Sequence, residues 1–389
     1  MHADPTGGPG RNGTKVKLQR TNRLRALAAG AVAVSGALVL TACGSDNNAQ
    51  NPNSSTAQSA KDIKCEGKGK LLASGSSAQK NAVDLWKKNY EAACKGTQIN
   101  YKDIGSGGGI QEWLQGTTAF AGSDSALKPD EVASSKKVCK TGQGINLPMV
   151  GGPVAVSYNL SGVDNLVLDA PTIAKIFDSK IKKWNDPAIQ KLNPKAKLPA
   201  KDIQAFHRSD ESGTTQNLGK YLGDAAPQDW KYEDEKSWPA KGGQSASGSA
   251  GVAQQVKQTD GAIGYFELSY ADANSLSKVK LDTGAKQPVE ATSENASKAI
   301  ADAKVKGKDK DLALELNYKT KTEGAYPLML VTYEIACDKG NKKETLAATK
   351  SFLNYTASKE GQSALSELGY APLPEGIAEK VRKTVPELG

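Results

Sequence analysis

What most constrains this chain is a recurring order: a β-like run, a polar turn rich in Gly and Ser, then a helix-like run. Residues 68–74 (KGKLLAS) read as a strand that meets the turn Gly75-Ser76-Ser77, after which Val83, Trp86, Tyr90 and Cys94 fall on one helical face. Residues 98–104 alternate like a strand, end in Gly105-Ser106-Gly107-Gly108-Gly109, and give way to a short helix over 110–114. Residues 119–123 return as a strand that stops at Asp124, and 203–207 form another that runs into Arg208-Ser209-Asp210-Glu211-Ser212-Gly213-Thr214. Strands alternating with helices predict an α/β fold with a largely parallel sheet. Ligands of such folds collect at the carboxyl ends of the strands, where these polar turns fall.

Two long β-rich stretches stand apart: 148–160 (PMVGGPVAVSYNL), with a Gly-Gly-Pro break, and 326–337 (YPLMLVTYEIAC). If both cross between lobes, the first and last segments share one lobe and the middle forms the other, a two-lobed clamp with two hinge crossings. Between them, helices open at Pro171 and at Asp186-Pro187, the latter with Pro in the first turn where its missing N–H costs nothing. Residues 245–251 (SASGSAG) are Gly/Ser-rich and precede 252–256; 261–267 (GAIGYFE) read as a strand. Residues 284–325 are polar, Lys-rich and weakly patterned, and helices close the chain around 346–355 and 377–385. Hydrophobic residues at 38% and charged residues at 24% suit a soluble globular body and exclude a membrane bundle or a disordered chain.

The formal charge of +9 is unevenly placed. Residues 1–43 hold Arg11, Lys15, Lys17, Arg20, Arg23 and Arg25 against the single acid Asp4, so the remainder carries +4, an ordinary solvated surface. No basic block with interleaved aromatics supports nucleic-acid binding. An apolar run over 26–39 follows the basic stretch and leads to Leu40-Thr41-Ala42-Cys43. It is short of the about 20 residues a spanning helix needs, and has the form of a secretory signal. The small residues before Cys43 resemble a bacterial lipoprotein cleavage box, which implies a diacylglycerol-modified Cys43 as the new N-terminus and a body outside the cytoplasm. Residues 44–62 carry almost no apolar side chains and read as a flexible tether.

Four cysteines follow: Cys65, Cys94, Cys139 and Cys337. An even number in an exported chain suggests two disulfides, with three pairings open. Cys65–Cys94 and Cys139–Cys337 are the expected pairs, because a strand start and the end of the following helix lie at the same edge of a sheet. His207 is the only histidine past the cleavage point, which argues against a zinc site, and no metal or cofactor is expected. The phosphate loop GxxxxGK[ST] is absent, since Gly219-Lys220 is followed by Tyr221; the run at 105–109 misses the dinucleotide pattern at Ile110; and GxSxG is absent.

Three Gly/Ser turns, each between a strand and a helix, are candidate anion sites. Free N–H groups and the helix dipole favour an anion there, hydroxyls add donors, and Gly allows close approach. Gly75-Ser76-Ser77, Ile104 through Gly109, Gly122-Ser123-Asp124, Arg208 through Thr214 and Gly261 through Tyr265, in that order, resemble the phosphate-binding protein of the Pst-type ABC importer. The resemblance runs from about Leu71 to Pro374 and takes in residues 181–187 and Tyr326-Pro327.

The resemblance implies a type II periplasmic-binding-protein fold, with lobe I over 63–150 and 331–389 and lobe II over 151–330. It implies phosphate held by the Ser77 hydroxyl, the Ala78 N–H, Ser106, Asp124, Arg208, Ser212, Gly213 and Thr214, with Asp210 beside Arg208. In the family, the carboxylate at the position of Asp124 accepts a hydrogen bond from the phosphate's own proton. The implied partners are inorganic phosphate, the permease subunits and the membrane through the N-terminal lipid, for a monomer that is not an enzyme. Ala78 stands where an aromatic is frequent, Glu211 where Gly is common, and Ala121-Gly122 inverts the usual order. The rival readings are an exported phosphate-ester hydrolase, which needs a metal cluster or an activated nucleophile, and a surface lipoprotein with no small ligand.

Overall fold

The computed structural model describes residues 63–389. The signal over 1–43, Cys43 and the tether over 44–62 lie outside the described residues. Strand β1 (Gly69–Gly75) leads through the first Gly/Ser turn to helix α1 (Lys80–Ala93), which buries Val83, Trp86 and Tyr90. Strand β2 (Thr97–Lys102) leads to helix α2 (Ser106–Leu114), and β3 (Phe120–Ser123) to helix α3 (Pro129–Cys139). The long strand β4 (Gly144–Asn159) is followed by β5 (Gln204–Arg208), helix α4 (Gly213–Ala225), β6 (Gln244–Ala246), helix α5 (Gly248–Gln258) and β7 (Ala262–Glu267). Helix α6 (Ser293–Ala301) and the second long strand, β8 (Met329–Cys337), complete the frame.

The main sheet runs in the order β2-β1-β3-β8-β4-β7-β5-β6. Its two ends are parallel triplets, β2-β1-β3 and β7-β5-β6. The two long strands join them and run antiparallel to their neighbours. The sheet is therefore mixed rather than largely parallel. Strand β4 pairs with β8 as far as Pro153 and with β7 from Val154 onward, so one strand serves both halves of a two-lobed fold. The Gly-Gly-Pro sequence does not interrupt the strand; it marks where the partner changes.

Each half has its own apolar filling. Around the first triplet, alternate residues serve opposite faces, as the period of two requires. Leu71, Ile99, Phe120, Leu147 and Met149 pack with Phe352 on one side, while Ile110, Trp113, Val331, Tyr333 and Ile335 pack on the other. The second half centres on Val154, Val156, Trp184, Phe206, Ile263 and Phe266. Disulfides join Cys65 to Cys94 and Cys139 to Cys337, with Cα atoms 5.3 and 5.4 Å apart. The second closes 198 residues of chain and ties the end of α3 to the end of β8. Cross-links of these spans stabilise by about 3–5 kcal/mol each in the chain-entropy account.

Two local differences from the sequence reading have physical causes. Helix α2 begins at Ser106 rather than at Ile110. Gly105, at φ 86°, turns the chain just before it, and the following glycines are helical. Helix α6 lies inside the stretch that showed little pattern: Thr292 caps it by accepting the Asn295 N–H, and its apolar face is made only of Ala296, Ala299 and Ile300.

Candidate functional site

The carboxyl ends of β1, β2, β3 and β5 bring four of the sequence's polar turns against one another. From the first half come Ser77, Ser106 and Asp124; from the second come Arg208 and the start of α4. Almost every one of these side chains is buried, Arg208 and Asp124 included. Glycine makes the approach possible. A Cβ on Gly107 would lie 2.5 Å from the Glu211 Cβ, and one on Gly213 would lie 2.6 Å from Ser106 Oγ and 2.7 Å from the Asp124 Cβ. The two loops could not close with side chains there.

One group forms around Asp124. The Thr214 hydroxyl donates to Oδ2 at 3.0 Å and the Thr332 hydroxyl to Oδ1 at 2.8 Å. Ser106 Oγ accepts the N–H groups of Asp124 at 3.2 Å and of Gly213 at 3.1 Å. Asn217 donates to the Asp124 carbonyl at 2.7 Å. Burial pushes the Asp124 carboxyl above its usual range, while the Ser76, Thr332 and Thr214 hydroxyls and the Arg208 charge work against that rise. A carboxylate has about four acceptor sites, so Asp124 keeps capacity for a further donor.

A second group forms around Arg208, whose guanidinium faces Asp210 through Nε at 2.7 Å and through Nη2. Burial works to raise the Asp210 pKa, but the Arg208 hydrogen bond and charge outweigh it and hold the carboxyl below its ordinary value. Arg208 Nη1 also reaches Ser249 Oγ at 3.4 Å. With five N–H donors on a guanidinium, donors remain for a ligand. Ser77 Oγ lies 3.0 Å from Ser249 Oγ and accepts the Ser249 N–H at 2.9 Å.

The remaining positions have local partners. Ser212 caps α4 by accepting the Thr215 N–H at 3.2 Å. The Ala78 N–H is held by Ser76 Oγ at 3.0 Å. Glu211 is exposed, its carbonyl accepts the Gly107 N–H at 3.0 Å, and its side chain lies against Gly107. His207 stacks on Trp238 with ring centroids 4.7 Å apart, and burial lowers its pKa. A cavity of about 730 Å³ beside the Asp124 group is lined by Asp124, Asn217 and the lysines 128, 220 and 306, and Arg208 does not line it. Asp124 and Arg208 are both buried, and the Arg208 charge acts on the Asp124 carboxyl, so the two groups belong to one polar seam. Among the described residues, no group of three or more His, Cys, Asp and Glu is placed to hold a metal ion.

Sequence reasoning missed Ser249, Thr332 and Asn217. The Gly/Ser run at 245–251 carried a signal for Ser249, because it has the same strand–turn–helix setting as the other turns. Thr332 also left a trace, as a hydroxyl in an otherwise apolar run.

Residues 48–360 match the family model described as a PBP superfamily domain. The chain is 41% identical over 361 residues to phosphate-binding protein PstS 3 of Mycobacterium tuberculosis, covering 92% of this chain and 97% of that one. It is 38% identical over 365 residues to PstS 2 of the same organism, covering 93% and 98%. Solved structures with the same fold include a high-affinity periplasmic phosphate-binding protein, PfluDING, bound with phosphate, at a TM-score of 0.67 and 20% identity over 81% of this chain and 93% of that one. Another is a putative phosphate ABC transporter substrate-binding protein with bound phosphate from Clostridium perfringens, at a TM-score of 0.57 and 20% identity over 79% and 100%. The chain belongs to the PBP superfamily and, within it, to the Pst-type phosphate-binding proteins.

Proposed function

We propose that this protein captures inorganic phosphate outside the cytoplasm and delivers it to an ABC-type import permease. The observation that carries this reading is the pairing of one buried carboxylate, Asp124, with one buried guanidinium, Arg208, among hydroxyls and amides. Phosphate near neutral pH is an anion that still carries a proton. A water-poor site for it needs many donors and one acceptor. Ser77, Ser106, Thr214, the amides at the start of α4 and Arg208 supply the donors; Asp124 supplies the acceptor. Sulfate has no proton at that pH and would meet Asp124 lone pair to lone pair. Hydrogen bonds to charged groups contribute about 1.5–3 kcal/mol each, and an unpaired buried charge costs several, so the discrimination needs no metal.

In this reading lobe I spans 63–150 and 331–389, lobe II spans 151–330, and phosphate bridges them. The partner change of β4 after Pro153 and the start of β8 at Met329 support those limits. Ser106 and Asp124 now bond Gly213 and Thr214 directly; an entering anion takes over these donors. Lipid on Cys43 anchors the monomer to the outer face of the membrane, and the closed form docks on the permease. The reading is of a binding protein, not an enzyme: His207 is committed to Trp238 and to the Arg208 carbonyl, 3.0 Å from its Nδ1, rather than to a nucleophile. Titration calorimetry with phosphate, run beside a chromogenic phosphate-ester assay, tests this. Tight saturable binding without turnover is expected; turnover, or no phosphate binding, contradicts it.

A further inference from the structure

We propose that Ser249 is a positioning residue of the phosphate cleft, setting the spacing between the Ser77 hydroxyl and the Arg208 guanidinium. The inference rests on reading that cleft as a phosphate site, and adds a residue to it from an element outside those four turns. Ser249 is the second residue of α5 and is fully buried. Its N–H donates to Ser77 Oγ at 2.9 Å, and its own Oγ stands between Ser77 Oγ at 3.0 Å and Arg208 Nη1 at 3.4 Å. One residue earlier, the Gly248 N–H donates at 3.0 Å to Asp210 Oδ1, the oxygen that also takes Arg208 Nε.

The first two amides of a helix have no partner within it. Here they hold the acceptor side of the Ser77 hydroxyl and the counter-ion of Arg208. With its oxygen occupied by the Ser249 amide, Ser77 has one proton to give. That proton goes either to Ser249 Oγ or to a ligand oxygen, and the Ser249 hydroxyl rotates to suit because it both donates and accepts. Tyr270 fixes the same turn from the second half by donating to the Ser77 carbonyl at 2.7 Å. The Ser77 turn and Arg208 lie on different halves of the sheet, so Ser249 ties a donor of one half to the cation of the other.

A residue acting through others leaves a signature that a purely structural one does not. In a double-mutant cycle, its effect shrinks when the residue it acts on is gone. The experiment measures phosphate dissociation constants and release rates for the protein and for Ser249→Ala, Ser77→Ala and the double variant, with melting temperatures alongside. Ser249→Ala is expected to weaken phosphate about three- to tenfold, the range of one lost hydrogen bond, mainly through faster release. The double variant is expected to fall well short of the product of the two single losses. Ser249→Cys, which keeps the volume but not a strong hydrogen-bonding group, is expected to fold normally and show the same loss. Unchanged affinity in Ser249→Cys, or losses that multiply in the double variant, would overturn the inference. Absence of phosphate binding by the unaltered protein would instead sink the reading of the cleft itself.

Discussion

Acids are buried in two regions of this molecule, and their surroundings hold them differently. In the cleft, Asp124 is met by two hydroxyl donors and feels the charge of a buried arginine, so the rise that burial imposes is opposed from several sides. Where β4 changes partners, Glu267 ends β7 beside Gly152, with no cation against it among the described residues. Oε2 takes the N–H of Ser269 at 2.9 Å and its hydroxyl, while Oε1 has no hydrogen-bond partner among the described residues. Burial pushes Glu267 up to about 8, so it keeps its proton through neutral pH. A nearby third acid, Glu334, is raised well above its ordinary value, first by burial and also by the Asp124 charge. Burial alone thus gives a neutral acid; burial with matched donors gives a carboxyl that can serve as the acceptor for a protonated oxyanion.

Arg208→Ala breaks the contrast most severely. It strips the cation from the seam and leaves Asp210 without its partner. Losing one member of a buried charge pair costs about 3–5 kcal/mol, so phosphate affinity is expected to fall at least a hundredfold by calorimetry. A dissociation constant within threefold of the original would contradict the assigned site.

Glu267→Gln sharpens the other side of the contrast. From pH 4.5 to about 8 the unfolded chain ionises this glutamate while the folded chain keeps it protonated. The folded state then binds more protons, so the contribution of this group to stability falls as pH rises across that window, by up to about 1.4 kcal/mol per unit. Gln removes the titration, so the variant's denaturation midpoint is expected to fall less steeply across that window. Parallel curves for the two proteins would count against a protonated Glu267.

Lys236→Met carries the smallest expected effect and tests a contact outside both regions. Lys236 Nζ meets Glu131 Oε1 at 2.9 Å with both side chains largely buried, while the Lys236 carbonyl accepts the Ser212 N–H at 2.9 Å. The substitution is expected to lower stability by about 2–3 kcal/mol, less than the loss of a wholly stranded buried charge, because Glu131 retains the Lys128 N–H. Phosphate affinity is expected to stay within a few fold. A loss as large as that of Arg208→Ala would mean that the site's order depends on this pair.

Much of this was legible in the residues. The order of strand, polar turn and helix places the α/β fold, and the ordered motifs put Asp124 and Arg208 in one proposed site. Residues whose function depends on cross-sheet register were harder to see. Thr332 reaches Asp124 only because β8 lies antiparallel to β3, pairing Tyr333 with Ser123. Ser249 stood in a visible Gly/Ser turn, but nothing local tells which of these turns meet. Helix α6 hid because its apolar face is two alanines and an isoleucine, too small to show a period. Partner exchange along β4 is a property of two neighbours and cannot be read from one strand's sequence.

The most direct test of the central claim, that Asp124 admits only a protonated oxyanion, is a paired titration of phosphate and sulfate into the protein and into Asp124→Asn. The account expects the unaltered protein to bind phosphate and ignore a large excess of sulfate. It expects the Asn variant, whose amide can donate to a bare oxygen, to bind the two within about tenfold of each other. Sulfate bound as well as phosphate by the unaltered protein, or full discrimination retained by the variant, would contradict it.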